Sequence, residues 1–197
     1  RGVLRPLRFG LGHTWHRLDT ERQLNVLGLR DSNHAKYDAR TLQLYAEAGY
    51  EVKFEAATVE PFLNLAYVNH HTDSFVERGT GLGSALTARG GSESTGFSTL
   101  GLRLSKNFDL SGAKGTATGT LGWRHAFGDV DPASVFSANG TSLFAITGAP
   151  IAKNALVLGV GLDVEIAQGT TLGVSYNGQV GDHVSDHGVK GEISGKF

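Results

Sequence analysis

The chain has 197 residues, enough for one domain, and no shift of composition along it marks a second. Its 18 Lys and Arg against 19 Asp and Glu leave a net charge of −1, so there is no basic field of the kind that draws duplex nucleic acid, and nucleic acid is not an expected partner. With no cysteine the chain cannot build a disulfide scaffold or a cysteine-rich zinc site, and its 28 glycines are more than an ordinary soluble domain carries.

No stretch reaches the roughly 18 uninterrupted apolar residues that a transmembrane helix needs. Mean hydropathy is slightly on the polar side of neutral, but a strand that alternates apolar and polar residues averages to the same value, so hydropathy decides nothing about a β-barrel. The sequence opens at Arg1 without a signal peptide, which is the expectation for a mature or excised piece of a longer polypeptide.

Parity is the informative test, because successive strand side chains point to opposite faces. Leu7, Phe9, Leu11 and Trp15 share odd numbers with His13, against Arg8, Gly10, Gly12, Thr14 and His16. From Leu42 to Phe54 the even positions are apolar and the odd ones include Gln43, Tyr45, Glu47, Glu51 and Lys53. Leu63, Leu65 and Tyr67 then oppose Glu60, Asn64 and Ala66. Phe75 to Ala88 is a weaker, glycine-rich strand. Leu100, Leu102 and Leu104 oppose Arg103 and Ser105, and Leu121, Trp123 and Phe127 oppose Thr120, Arg124 and Ala126. Val135 to Ile146 reads as an irregular strand, and Leu156 to Ile166 places aliphatic residues on even positions with Asp163 and Glu165 opposite. Leu172, Val174 and Tyr176 follow, and Val189, Ile193 and Phe197 oppose Lys190, Glu192, Ser194 and Lys196.

These segments make about ten strands of roughly nine to thirteen residues, longer than soluble strands and long enough to cross a hydrocarbon layer at the usual tilt. The expected fold is all-β, an antiparallel transmembrane β-barrel. Counting back from a final strand that ends in the periplasm puts periplasmic turns near 56–58, 89–94, 128–132 and 168–169. The outer loops then fall at 19–39, 109–114, 147–154 and 181–188, the first being the longest and most polar.

The charged residues of the polar parity are Arg8, Glu47, Glu51, Lys53, Glu60, Arg103, Arg124, Asp163, Glu165, Lys190, Glu192 and Lys196. They are expected to face the lumen and to pair across strands, because Arg or Lys on the lipid side at the midplane costs about 2–4 kcal/mol. His183 and His187, beside Asp182 and Asp186, raise a metal site, but the segment reads as a solvated loop and no metal or other cofactor is expected. His70 and His71 are adjacent and point to opposite faces. His13 and His125 fall on the apolar parity beside Trp15 and Trp123, the place of an aromatic belt. A barrel protease or lipase is the class to exclude, and Gly83-Ser84 lacks the second glycine of a nucleophile elbow. No catalytic residue is assigned, and a porin-like barrel is the other rival.

LGWRHAFGD at 121–129, followed by Pro132, is similar to a signature of autotransporter β-domains, the translocators of type V secretion in Gram-negative bacteria. YAEAGYEV at 45–52, EPFLNLAYV at 60–68, STLGLRL at 98–104, GAPIAKNALV at 148–157, LGVSYNGQ at 172–179 and VKGEISGKF at 189–197 extend the resemblance over nearly the whole chain. It implies an outer-membrane barrel of twelve strands with a linker helix in the lumen. Ten strands and no helix are expected here, so residues 1–197 would be either a translocator domain lacking two strands and the linker, the favoured reading, or a member that closes with fewer strands. The resemblance implies an anchor and pore for an N-terminal passenger that carries any enzymatic activity. It also implies as partners the outer-membrane lipid, the barrel assembly machinery and the passenger itself, with the chain a monomer. The closing phrase resembles an assembly signal carried by Val189, Ile193 and Phe197.

Overall fold

The computed structural model describes residues 2–4, 7–26, 29–79, 83–110, 112–138, 142–182 and 184–195. In chain order the strands are β1 (Gly2–Leu4), β2 (Arg8–Val26), β3 (Leu29–Lys53), β4 (Thr58–Thr72), β5 (Phe75–Val76), β6 (Arg78–Gly79), β7 (Leu86–Ala88), β8 (Gly91–Leu110), β9 (Ala113–Gly128), β10 (Ala133–Ala138), β11 (Ser142–Thr147), β12 (Asn154–Ala167), β13 (Thr170–Gly181) and β14 (Val184–Gly195). No helix occurs among the described residues. The main sheet has ten members and is antiparallel throughout, running β3–β4–β8–β9–β12–β13–β14, with β1 and β2 both along one side of β3 and β6 at its upper end.

Of the ten crossing strands expected, eight stand in the main sheet, β2, β3, β4, β8, β9, β12, β13 and β14; its other two members, β1 and β6, have three and two residues. Two segments expected to cross, Phe75 to Ala88 and Val135 to Ile146, lie instead in a second sheet of order β11–β10–β7–β5, apart from the short β6. Their strands have two, three, six and six residues, below the nine to eleven or so that a tilted crossing requires. Taking two crossings out reverses the expected rim of every connection between them. The β3–β4, β8–β9 and β12–β13 connections therefore fall on one rim, that of Gly195, and the β2–β3, β4–β8, β9–β12 and β13–β14 connections on the other. Residues 89–94 and 128–132 are on the far rim, not the near one, and 109–114 is a near-rim turn rather than an outer loop. That turn is tight because Gly112 takes φ +92°, a left-handed conformation costly for residues with a Cβ, and its amide donates to Asp109 Oδ1 at 2.9 Å.

The polar connection expected at 19–39 is a hairpin. The β2–β3 register continues unbroken from Arg8 opposite Glu47 to Val26 opposite Leu29. Polarity inverts on the way up. Below Trp15 and Arg40 the outward face carries Phe9, Leu11, Leu42 and Leu44; above them it carries Arg17, Asp19, Glu21, Asp38 and Lys36. The opposite face changes in the reverse sense, and at the top Tyr37, Ala35 and Ala39 pack towards the second sheet, with the two alanines buried. Tyr37 stacks on Phe75 at 4.2 Å between centroids, Phe75 meets Phe136 edge-on at 6.4 Å, and Phe136 stacks on Phe144 at 5.8 Å. Replacing the half-buried Phe136 with Ala is expected to cost about 1–2 kcal/mol, a discounted core truncation. Hydrogen exchange of β7, β10 and β11 amides should then speed up about tenfold or more, while β8 and β9 stay as protected as before.

Candidate functional site: the polar face of the main sheet

In the lower sheet one face is apolar and exposed and the other polar and largely covered. Trp15 is 78% exposed on the first, and Glu60 is 8% exposed on the second. The register places Leu11, Leu44, Tyr67, Leu100, Leu121, Leu158 and Val189 on the apolar face and Glu47, Asn64, Thr99 and Arg124 on the other.

The centre of the polar face is an ion-pair network across four strands. Arg103 of β8 holds Glu47 of β3 with two bonds, Nη1 to Oε1 and Nη2 to Oε2, each 2.8 Å, and its Nη1 lies 3.3 Å from Glu60 Oε1 on β4. Arg8 of β2 adds a 2.8 Å bond to Glu47, and Asn64 donates to the same carboxylate at 3.5 Å. Parallel double donation is the geometry a guanidinium offers and an ammonium does not. Arg103 also lies 3.9 Å from the centroid of Phe62, a buried ring on the polar face. The ring fits because Gly101 is opposite: a Cβ there would come within 2.7 Å of it.

Arg124 forms a second centre, donating to Gln179 Oε1 at 2.6 Å and to Thr99 Oγ1 at 3.3 Å. Lys53 lies 3.3 Å from Glu51, and Lys190 pairs with Glu192. Glu165 accepts from the Gly169 amide at 3.3 Å, and Asp163 lines a shallow cleft with it near the near rim. So Arg8, Glu47, Glu60 and Arg103 converge, with Glu51 and Lys53 lining the same hollow as Glu60 and Arg103, while Arg124 and Lys190–Glu192 stand as separate local contacts. Lys196, Phe197 and His183 lie outside the described residues. Val189 and Ile193 are exposed on the apolar face of β14.

His187 is in strand β14, not in a loop. Its Nδ1 is 2.6 Å from Tyr176 Oη and its Nε2 is 2.6 Å from Ser185 Oγ, on the apolar side. His70 and His71 point apart as expected. His71 contacts Ser92 at 2.7 Å and Asp73 at 3.2 Å. His70 shares Thr41 Oγ1 with His16, at 3.0 and 3.1 Å. The belt histidines sit against their tryptophans, with centroids 4.1 Å apart for His13–Trp15 and 5.7 Å for Trp123–His125.

Two groups escaped the sequence reading. Phe62 and Phe97 are aromatic on the polar parity, and each carries a guanidinium; Arg124 is 5.9 Å above Phe97. Phe62 lies between Glu60 and Asn64 in number, so parity alone places it. The other is a knot under the upper hairpin. Arg22 Nε donates to Glu77 Oε1 at 3.1 Å, Arg22 Nη2 donates to the Ser84 carbonyl at 2.7 Å, and Ser84 Oγ bonds Asp31. Only the folded hairpin brings these distant residues together. A half-open cavity of about 700 Å³ lies between hairpin, main sheet and second sheet, with His16, Tyr37, His70, Phe75, Arg89 and Phe136 on its walls.

An all-β antiparallel sheet with an exposed apolar face and a polar face crossed by ion pairs is the class of arrangement expected of a transmembrane β-barrel wall. A family model, "Autotransporter beta-domain", matches residues 6–177. The chain belongs to the autotransporter β-domain family. It is similar to two proteins of Serratia marcescens, each described as an extracellular serine protease: 33% identical over 192 residues, 97% of this chain, and 31% identical over 186 residues, 94% of it. The chain spans 18% of the length of each.

Two tests follow. Arg103→Ala leaves Glu47 and Glu60 facing each other with one cation fewer and should cost about 2–3 kcal/mol, somewhat below a fully buried broken pair. Urea unfolding of the vesicle-inserted protein measures this, and a Glu47→Gln, Arg103→Gln pair should cost less than the sum of the singles. At the far rim, beyond the apolar belt, the hydrogen bond from Arg22 holds the Glu77 carboxyl below its ordinary pKa, helped by the Leu86 amide against the opposing effect of burial. A lowered carboxyl stabilises the fold above the unfolded pKa of about 4.3 and ceases to do so as pH falls through its folded value. Protease cleavage of the far-rim connections should therefore rise as pH drops below about 4, whereas Glu77→Gln should be susceptible at every pH, without that step.

Proposed function

We propose that this domain spans the outer membrane as a monomer and, with the assembly machinery, supports passage of its own N-terminal passenger to the cell surface. The carrying observation is the polar face: its Arg8, Glu47, Glu60 and Arg103 are tied to one another. A wall whose charges are already neutralised is hydrated yet offers a passing chain few unpaired ions to stick to. Glu51, Lys53, Arg124, Asp163, Glu165, Lys190, Glu192 and Lys196 complete that wall in this reading. The near rim is periplasmic and the far rim, with the second sheet, extracellular. The protease activity named for the Serratia relatives belongs, in this reading, to regions outside the matched fifth of their length, and this domain is not itself an enzyme.

Val189, Ile193 and Phe197 form the assembly signal. A terminal strand can be captured by edge pairing while alternate apolar side chains dock. Fusing a reporter passenger upstream and measuring its surface exposure by protease accessibility tests both ideas. The intact domain should display the reporter, and Ile193→Asp or loss of Phe197 should reduce display at least tenfold while Glu21→Gln leaves it unchanged. Equal display by all variants overturns the signal, and a reporter kept in the periplasm by a correctly inserted barrel overturns translocation.

A further inference from the structure

The outward face of the β2–β3–β4 corner carries an exposed cation, Arg40, with no ion-pair partner among the described residues. Arg40 lies directly opposite Trp15 on β2 and His71 on β4, at the level where the apolar belt ends. It is exposed and forms no salt bridge among the described residues. Its neighbours account for the carboxylates around it. Asp38 is 3.6 Å from Arg17, Asp19 is 3.1 Å from Lys36 and 3.2 Å from His34, and Asp73 is 3.2 Å from His71. Below Arg40 the face is Leu42 and Leu44, with Trp15 opposite it and His13, whose ring lies against Trp15, diagonal to it. A guanidinium with apolar side chains beneath it and satisfied ion pairs above it stands where a bilayer presents its headgroups.

We propose that Arg40, Trp15 and His13 form a seat for the phosphate headgroup of a membrane lipid on the outside of the sheet. The seat rests on the membrane-spanning reading above. The guanidinium supplies two parallel donors to phosphate oxygens. Trp15, at the interface between water and hydrocarbon, packs along the top of the acyl chains. His13 presents its ring against Trp15 and leaves a nitrogen for the headgroup. Asp73 lies 3.2 Å from the His71 ring.

Trp15 is itself the reporter. A Trp123→Phe variant, with Trp15 as its one tryptophan, would be inserted in phosphatidylcholine vesicles containing either brominated phosphatidylcholine or brominated phosphatidic acid, and quenching compared at equal mole fraction. The expected preference for phosphatidic acid is about fivefold, equivalent to about 1 kcal/mol for one cation at an anionic lipid surface. Adding Arg40→Gln should bring it to about one. A Trp15→Phe variant, reporting from Trp123, should show a ratio near one. A ratio near one at Trp15, a preference that survives Arg40→Gln, or an equal preference at Trp123 overturns the seat. Loss of the preference in millimolar inorganic phosphate shows a soluble-anion site and overturns the lipid assignment. Absence of quenching by both brominated lipids overturns the membrane-spanning reading, and the seat with it.

Discussion

Inside a hydrocarbon layer a backbone amide or carbonyl has no water to turn to, so every strand must be paired along its crossing length. That requirement explains the long ladders, such as β8 with β9 from Thr95 opposite Gly128 to Leu110 opposite Ala113. It also fixes the side chains. Once pairing sets the register, the two-residue repeat assigns each side chain to one face, and a slip of one residue would exchange leucines for arginines along a whole strand. The Glu47–Arg103 pair adds a polar lock to the same register, since the two residues meet only if β3, β4 and β8 are aligned as they are.

The inversion at Trp15 and Arg40 comes from the same rule under changed surroundings. Above that row the outward face meets water and the inward face meets protein, so Arg17 and Asp38 turn out while Tyr37 and Ala39 turn in. Strand geometry continues unchanged through the row. The medium on each side changes, and the pattern of residues follows it.

This accounts for what could be read from the sequence and what could not. The alternation from Leu42 to Phe54 and from Leu156 to Ile166 is plain, and so is the shared face of Arg8, Glu47, Glu60 and Arg103. Parity says which face a residue takes but not which sheet its strand joins. Val135 to Ile146 alternates well enough to be read as a strand, and only its division into two six-residue pieces shows that it cannot cross. The hairpin at 19–39 was hidden by its charges, because a polar run reads as a loop unless the apolar residues on the other face, Leu18, Tyr37 and Ala35, are given equal weight. The Arg22–Glu77–Ser84 knot depends on that hairpin, and no local spacing announces it.

The second sheet is stitched from two separate connections: β5 and β7 come from the segment between β4 and β8, and β10 and β11 from the segment between β9 and β12. Here Phe136 opposite Ala88 and Ser137 opposite Thr87 bind the two together, so neither can be exchanged for a relative's version without refitting the other. The two connections therefore keep or lose their shape together.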